Sequence, residues 1–286
     1  MSRIVVTTLG TLGDLHSMIA IALELRQRGH EVVFVTHQVY QFKLAALSFE
    51  FHPMRPNFTA MNDPQEMAPM MDLKTGQEYM ARQWVNPSLR EMYADLLNGA
   101  KGADFICSGE GVIATPLVAE KLEMRWASSA MVAMSFFSVY DPPVLTPFPA
   151  LAKLYKLGPI VNRGVLNFAK WVSHSWADPI RQLRQELGLS PVHANPSLRD
   201  KFSPYLVVAL FSSVFGQPQP AGQRIVMNAG NFYQESLNAV KPLHRRAVLL
   251  TGNNPPLKDL PTNVLAVNYV PYSQVFSHAC AIALFR

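Results

Sequence analysis

The chain has 286 residues, of which 49% are hydrophobic and 16% are charged, and this balance excludes a disordered or fibrous protein. It predicts a globular protein long enough for one large domain or two smaller ones. The formal net charge is +5. The cations are scattered and form no basic stripe with interleaved aromatic residues, which argues against nucleic-acid binding.

The N-terminal sequence predicts a βαβ unit. Ile4–Thr8 is a short β-branched run typical of a buried strand, and Glu31–Thr36 is a second one. Between them, apolar residues recur from Leu15 onward at helical spacing, and Gly29 follows in the position of a helix C-cap. The crossover in such a unit is right-handed and its strands are parallel. Ligands bind beyond the carboxyl ends of parallel strands, so the loop after the first strand lies at the binding edge.

That loop reads TLGTLGDLH and fits a phosphate cradle poorly. Its glycines, Gly10 and Gly13, are spaced G-x-x-G, whereas a dinucleotide fingerprint needs G-x-G-x-x-G. Asp14 follows, and a carboxylate there repels a phosphate. One interpretation makes Asp14 the N-cap of the helix. The other makes it a general base at the active edge, with His16 close by. The two interpretations are compatible.

The next segment, from Pro53 to Met92, is rich in methionine. Methionine side chains are flexible and fill irregular apolar space. They indicate either ordinary core packing or a pocket for a bulky apolar acceptor, and the sequence leaves both open.

Beyond this segment the β-α alternation continues and predicts an open, Rossmann-like parallel sheet with helices on both faces. Strands are predicted at 102–108, 125–129 and 206–210, and helices at 115–122 and 161–187. The stretch FSSVFGQPQPAGQ then has the composition of a linker. Glu110, just after the strand at 102–108, is either a carboxylate that orients His16 or a solvated loop residue.

After the linker the pattern restarts with a helix at 231–243 and strands at 247–251 and 264–268, followed by a final apolar run at 279–285. A parallel strand is normally covered on both faces, and nothing follows this run. The sequence therefore predicts an N-terminal domain at 1–215, a linker at 216–223 and an incomplete second Rossmann-like unit at 224–286.

Cysteine content and hydropathy predict a soluble, cytoplasmic protein. Cys107 and Cys280 lie in apolar surroundings far apart in sequence and are expected to be buried thiols. The N-terminus lacks a leader pattern. The apolar run from Ala130 to Tyr140 is far shorter than the ~20 residues of a membrane-spanning helix. The net positive charge is still compatible with contact at the inner face of a membrane or with a phosphate-bearing substrate.

Several reaction classes lack their motifs. The sequence contains no P-loop, H-E-x-x-H, C-x-x-C or G-x-S-x-G segment. The histidines show no metal-ligand spacing, and there is no D-x-D pair, so no metal site is predicted.

A family resemblance is carried by four stretches in order: VTTLGTLGDLHSMIAIALELRQRGHEVVFVTH, ADFICSGEGVIATPLVAEKLEMRWASS, NAGNFYQESLNAVKPLHRRAVLLTGNNP and VLAVNYVPYSQVFSHA. Together they resemble the bacterial glycosyltransferases of the GT-B fold, which have two Rossmann-like domains. The most similar group is that of the sterol and lipid glucosyltransferases and the antibiotic glycosyltransferases.

The resemblance implies a hexosyltransferase that moves a sugar, typically glucose, from a UDP-sugar to a hydroxyl of a hydrophobic acceptor such as a lipid, sterol or polyketide. It implies inversion, no metal and no cofactor besides the UDP-sugar donor substrate. By position, Asp14 and His16 match the catalytic residues. The acceptor would contact Gly10, Thr11, Leu12, Gly13 and Glu110, and the donor would contact Tyr269, Val270 and Pro271.

The chain also departs from the family pattern. The H-x-G-G-x-G-T segment that binds the donor phosphates and the strand and T-L-G-S-S loop that open the donor domain are absent. We therefore expect an internal deletion and a truncated C-terminal domain. Two alternatives stay open: a non-catalytic or degenerate acceptor-binding protein, and a nucleotide-cofactor oxidoreductase that only the Rossmann-like pattern supports. The sequence leaves the oligomeric state open.

Overall fold

The computed structural model of the protein describes residues 1–57, 68–191, 201–211, 225–227, 247–250 and 260–267. Seven parallel strands form one sheet in the order β3-β2-β1-β4-β5-β6-β7. The strands are β1 (Arg3–Thr8), β2 (Glu31–Thr36), β3 (Glu50–Pro53), β4 (Phe105–Ser108), β5 (Trp126–Ala130), β6 (Leu206–Ala209) and β7 (Ile225–Met227). The chain reverses its direction of travel across the sheet between β1 and β4, where parallel sheets form their ligand crevice.

Seven α-helices accompany the strands within the described residues. They are α1 (Leu12–Gln27), α2 (Gln41–Ala46), α3 (Gly76–Tyr79), α4 (Leu89–Gly99), α5 (Thr115–Lys121), α6 (Pro159–Val172) and α7 (Asp178–Glu186). A π-helical turn at Met80–Val85 continues α3, and the longest 3-10 segment is Pro149–Leu157.

Helices cover both faces of the sheet, as the sequence predicted. Successive residues of a strand point to opposite faces. Val6 is accordingly buried with Leu15 and Met18 of α1 on one face, whereas Val5 is buried with Leu96 of α4 and Leu117 of α5 on the other. The result is a three-layer, Rossmann-like α/β unit.

The prediction of one continuous helix over residues 161–187 is wrong. The chain forms α6, a 3-10 turn at His174–Ala177 and then α7. Pro179 lies in the first turn of α7, and a proline inside a helix removes a hydrogen bond and clashes with the preceding turn. Ser173 Oγ also donates to the carbonyl of Ala169 at 2.8 Å, so the end of α6 is satisfied locally.

The methionine-rich segment contributes to the core. Met54 and Met92 are fully buried, whereas Met71 is exposed. Met92 lies on α4, a helix that the sequence reading did not predict, although Leu89, Met92 and Leu96 recur at helical spacing. For these buried methionines, ordinary core packing is confirmed.

The C-terminal third is described only in part. Strand β7 pairs with β6 in the main sheet, although it lies within the range 224–286 that the sequence assigned to the second unit. Strands β8 (Ala247–Leu250) and β9 (Val264–Val267) form a separate parallel pair, at the two positions where strands were predicted. The expected helix at 231–243 and the final apolar run at 279–285 lie outside the described residues, and the domain boundaries stay predictions.

Two further predictions from the sequence concern the cysteine thiols and membrane-spanning helices. Cys107 is a buried free thiol, and burial raises its pKa to about 12. Cys280 lies outside the described residues. In the part of the chain that the structure describes, no helix combines the length and the apolar character needed to cross a bilayer.

Candidate active site

The loop after β1 is organised around one carboxylate. Thr11 is the N-cap of α1, and its hydroxyl accepts a hydrogen bond from Gly13 N at 3.3 Å. Asp14, three residues on, accepts from Thr11 N at 2.9 Å and from Thr11 Oγ1 at 3.2 Å, both at Oδ2. This reciprocal arrangement is a capping box. The interpretation of Asp14 as the N-cap itself is therefore wrong, since the carboxylate is fixed by the residue that caps the helix.

Gly10 provides the space in which that carboxylate lies. A Cβ at Gly10 would come within 2.3 Å of Asp14 Oδ2 and 2.6 Å of its Cγ. The Gly10 carbonyl accepts a hydrogen bond of 2.7 Å from the hydroxyl of Tyr40, which follows β2. Burial, with the charge of Asp14, raises the pKa of Tyr40 to about 12, so this hydroxyl stays protonated and remains a donor.

The variant Tyr40→Phe is expected to lower the free energy of unfolding by about 0.5–1.5 kcal/mol, because the carbonyl of Gly10 loses its partner in a partly buried setting. Chemical denaturation at neutral pH measures the difference. The matched control is Tyr205→Phe, since Tyr205 is 58% exposed whereas Tyr40 is buried. An equal loss in both variants would contradict this role for Tyr40.

The loop after β4 packs directly against the loop after β1. Gly109 N donates to the Thr7 carbonyl at 2.7 Å, and a Cβ at Gly111 would lie 2.9 Å from the carbonyl oxygen of Leu9. Between these glycines, Glu110 forms an ion pair with Lys201, whose side chain is only 11% exposed. The interpretation of Glu110 as a solvated loop residue is therefore wrong.

The electrostatics of this edge set the protonation of Asp14. Burial raises the pKa of Asp14 above its usual value, the bonds from Thr11 oppose that shift, and the negative charge of Glu110 adds to it. Partial loss of water favours the neutral acid, whereas hydrogen bonds to the carboxylate favour the ion. The carboxylate thus becomes a stronger base than a solvated aspartate, as proton abstraction at neutral pH requires.

His16 does not form a dyad with Asp14. The two residues are two positions apart on α1, so their side chains project about 200° apart around the helix axis. Burial and then the charge of Lys43 lower the pKa of His16, which favours the neutral ring. A catalytic role for His16 stays a prediction from the resemblance.

Comparison with known proteins bears on this loop directly. Residues 4–98 match the model of the glycosyltransferase family 28 N-terminal domain. This segment is about a third of the chain and contains β1, α1, Asp14 and Tyr40. The matched family is one of transferases. The chain matches no curated protein.

Solved structures share the fold over nearly the whole chain. The glycotransferase of kitacinnamycin is 14% identical, with a TM-score of 0.52 over 97% of this chain and 74% of that one. The calicheamicin glycosyltransferase CalG4 is 15% identical, with a TM-score of 0.52 over 98% of this chain and 73% of that one. At these identities the likeness is one of fold. The seven-stranded unit is the N-terminal half of a GT-B glycosyltransferase fold.

Some of the predicted site residues in the family 28 segment come together, and others do not. Thr11, Gly13 and Asp14 are joined by hydrogen bonds, and Gly10 lies against the carboxylate of Asp14. Leu12 and Gly13 are exposed at the start of α1. Their roles toward an acceptor stay predictions. The predicted donor-binding residues lie outside the described residues: Tyr269, Val270 and Pro271.

Sequence reasoning missed two residues of this edge, Tyr40 and Lys201. Tyr40 follows a strand that the sequence predicted, so its place at the carboxyl edge could have been inferred. No local pattern marks Lys201, which precedes β6 by several residues and meets Glu110 only through the order of the strands.

Proposed function

We propose that this chain is a glycosyltransferase that moves a hexose from a nucleotide diphosphate sugar to a hydroxyl of a hydrophobic acceptor, with Asp14 as the general base. The observation that carries the proposal is the carboxylate of Asp14, fixed by Thr11 at the carboxyl edge of β1 and made more basic by burial. The family 28 match over residues 4–98 supports the same reaction class.

The contacts of Asp14 support different roles for its two oxygens in this proposal. Both bonds from Thr11 go to Oδ2, so Oδ1 is the oxygen that accepts the proton of the acceptor hydroxyl. The acceptor oxygen then forms a bond to the anomeric carbon as the bond to the nucleoside diphosphate breaks. The electron pair leaves with the diphosphate, and this single displacement inverts the anomeric centre. A positioned base of this kind contributes roughly 10²–10⁴-fold to the rate.

The finer identity of the substrates follows from the family resemblance. It favours UDP-glucose as donor and a lipid, sterol or polyketide-like alcohol as acceptor, with no metal and no cofactor. The exposed leucine at the start of α1, Leu12, lies two residues from Asp14 and suits an apolar acceptor. Backbone amides and a helix N-terminus can hold the leaving diphosphate without a cation.

A transfer assay tests the proposal. The purified chain is incubated with UDP-glucose or TDP-glucose and a panel of sterols, long-chain alcohols and polyketide alcohols, and products are identified by mass spectrometry. We expect a glucoside that also forms in excess EDTA and is lost in Asp14→Asn. Acceptor binding without transfer from either donor would instead establish a non-catalytic acceptor-binding protein.

Lys201, the ion-pair partner of Glu110, is expected to influence the pKa of Asp14. The variant Lys201→Gln leaves the charge of Glu110 uncompensated, and a nearby negative charge raises the pKa of a carboxylic acid. Transfer requires ionised Asp14, so the acid limb of the kcat/KM profile moves to higher pH. Lys101→Gln, which alters a solvent-exposed lysine after α4, serves as the control. An acid limb at the same pH in all three proteins would refute this coupling.

A further inference from the structure

The outward face of α6 is apolar, which is unusual for an exposed helix. Ile160 is 89% exposed and Trp171 is 74% exposed, and Phe168 lies beside them. The spacing of these three residues places them on one side of the helix. Val165 and Leu166, on the opposite side, are buried against the rest of the domain. The helix therefore presents apolar side chains both to the core and to the solvent.

The 3-10 segment Pro149–Leu157 extends this apolar side. Residues three apart eclipse one another in a 3-10 helix, so Leu154 and Leu157 form one row, and Leu157 is 67% exposed. The segment is joined to α6 by an aromatic contact between Phe148 and Phe168. Their ring centroids are 5.4 Å apart, within the roughly 4.5–7 Å of preferred aromatic pairs. We call this combined face the α6 surface: Leu154, Leu157, Ile160, Phe168 and Trp171.

The segment that carries the α6 surface has charges of a single sign in the sequence. No acidic residue occurs between Asp141 and Asp178 in the sequence. The same interval carries the exposed basic residues Lys153, Lys156 and Arg163. Lys153 and Lys156 are three apart in the 3-10 segment and form a row next to that of Leu154 and Leu157. Arg163 is exposed and flanks Ile160 on α6.

We propose that the α6 surface docks on an anionic lipid bilayer. Exposed aromatic and aliphatic side chains bordered by lysine and arginine are the composition of helices that lie in the membrane interface, and juxtamembrane cations are attracted to acidic lipid headgroups. A second copy of the chain is a poorer occupant, because a symmetric contact through this face would bring cations against cations. The inference stands independently of the proposed transfer reaction.

Vesicle flotation tests the proposal. The full chain is mixed with vesicles of phosphatidylcholine alone or of phosphatidylcholine with 30% phosphatidylglycerol, and the bound fraction is measured. We expect binding to the anionic vesicles, little binding to the neutral ones, and weaker binding at high salt, because surface charges are screened. Equal binding to both vesicle types, or binding to neither, would overturn the proposal.

Two double variants locate the contact. Ile160→Glu with Trp171→Glu removes apolar area and adds negative charge, and should abolish binding to anionic vesicles. Lys153→Gln with Lys156→Gln should weaken it about thirtyfold, since each basic residue near an anionic surface contributes appreciably. Leu73→Glu changes an exposed leucine elsewhere and should bind like the unchanged chain. Thermal melting checks that the variants fold.

Two results would overturn the proposal outright. The first is unchanged vesicle binding by the folded Ile160→Glu, Trp171→Glu protein. The second is a dimer in light scattering that this variant dissociates, which would make a second copy the occupant of the α6 surface.

Discussion

Asp14→Asn is expected to lower kcat/KM for sugar transfer by about 10²–10⁴-fold, the usual contribution of a general base. The asparagine amide keeps an oxygen that can accept from Thr11, so the capping box and the start of α1 persist. The loss should therefore appear in the chemical step and leave acceptor binding largely unchanged. Steady-state kinetics with a binding titration of the acceptor separates the two quantities. Normal turnover by the variant would remove Asp14 from the role of base.

The same substitution has an opposite effect on stability. The pKa of Asp14 is raised above the ordinary value of an aspartate mainly by burial, so the folded state binds the proton more tightly than the unfolded chain does. The stability contributed by this group is complete below the unfolded pKa and is lost as the pH rises through the folded pKa. At neutral pH the ionised carboxylate is therefore a net cost that asparagine avoids.

Thermal melting at two pH values tests whether the ionised carboxylate of Asp14 destabilises the folded state. Asp14→Asn should melt at a higher temperature than the unchanged chain at neutral pH, and the difference should shrink at pH values below about 3.8. In the unchanged protein, transfer should fall as the pH drops through the raised pKa of Asp14, because only the ionised carboxylate accepts a proton. A lower melting temperature for the variant at neutral pH would contradict the burial argument.

Gly10→Ala is expected to lower kcat by about 10²-fold without abolishing folding. The new methyl group would lie 2.3 Å from Asp14 Oδ2, so the carboxylate must move. A misplacement of about 1 Å in a reacting group can cost 10²-fold in rate. Turnover at saturating substrates, with a melting curve, measures the effect.

The neighbouring glycine offers a matched control. A Cβ at Gly13 meets only Thr11 Oγ1, at 3.5 Å, which is ordinary van der Waals contact. Gly13→Ala should therefore keep kcat at saturating acceptor close to that of the unchanged chain, since an effect on the predicted acceptor contact of Gly13 falls on KM, and alanine in the first turn of α1 favours the helix. Equal losses in both variants would show that the loop, rather than the position of Asp14, is sensitive to added volume.

The order of strands and helices could be predicted from the sequence where the local residue pattern determines the secondary structure. The β-branched runs at β1 and β2 and the glycine after α1 identified the first unit, because strand burial and helix capping are local properties. The prediction of one helix over residues 161–187 failed because the apolar periodicity continues across the 3-10 turn at His174–Ala177, whereas Pro179 is accommodated only in the first turn of a new helix. Helix α4 was not predicted, although Leu89, Met92 and Leu96 recur at helical spacing, because flexible methionine side chains fit helices and irregular segments alike.

The sequence predicted where the candidate site lies more completely than it predicted which residues contact one another there. The edge of β1 and the residue Asp14 followed from the β-α pattern. Thr11 as the N-cap was also readable, since Thr-x-x-Asp is a capping-box signature. The pairing of Glu110 with Lys201 was not readable, because it joins residues 91 positions apart and depends on which strands become neighbours.

In the proposed reaction, the capping box couples the protonation state of Asp14 to the first turn of α1. Thr11 N and Oγ1 bind the ionised carboxylate of Asp14, and hydrogen bonds of this kind favour the charged form. In the proposed reaction, taking a proton from the acceptor would therefore weaken the bonds that hold the helix start, and releasing that proton to solvent would restore them. The interactions that define where the helix begins would then also favour the return of Asp14 to its ionised form.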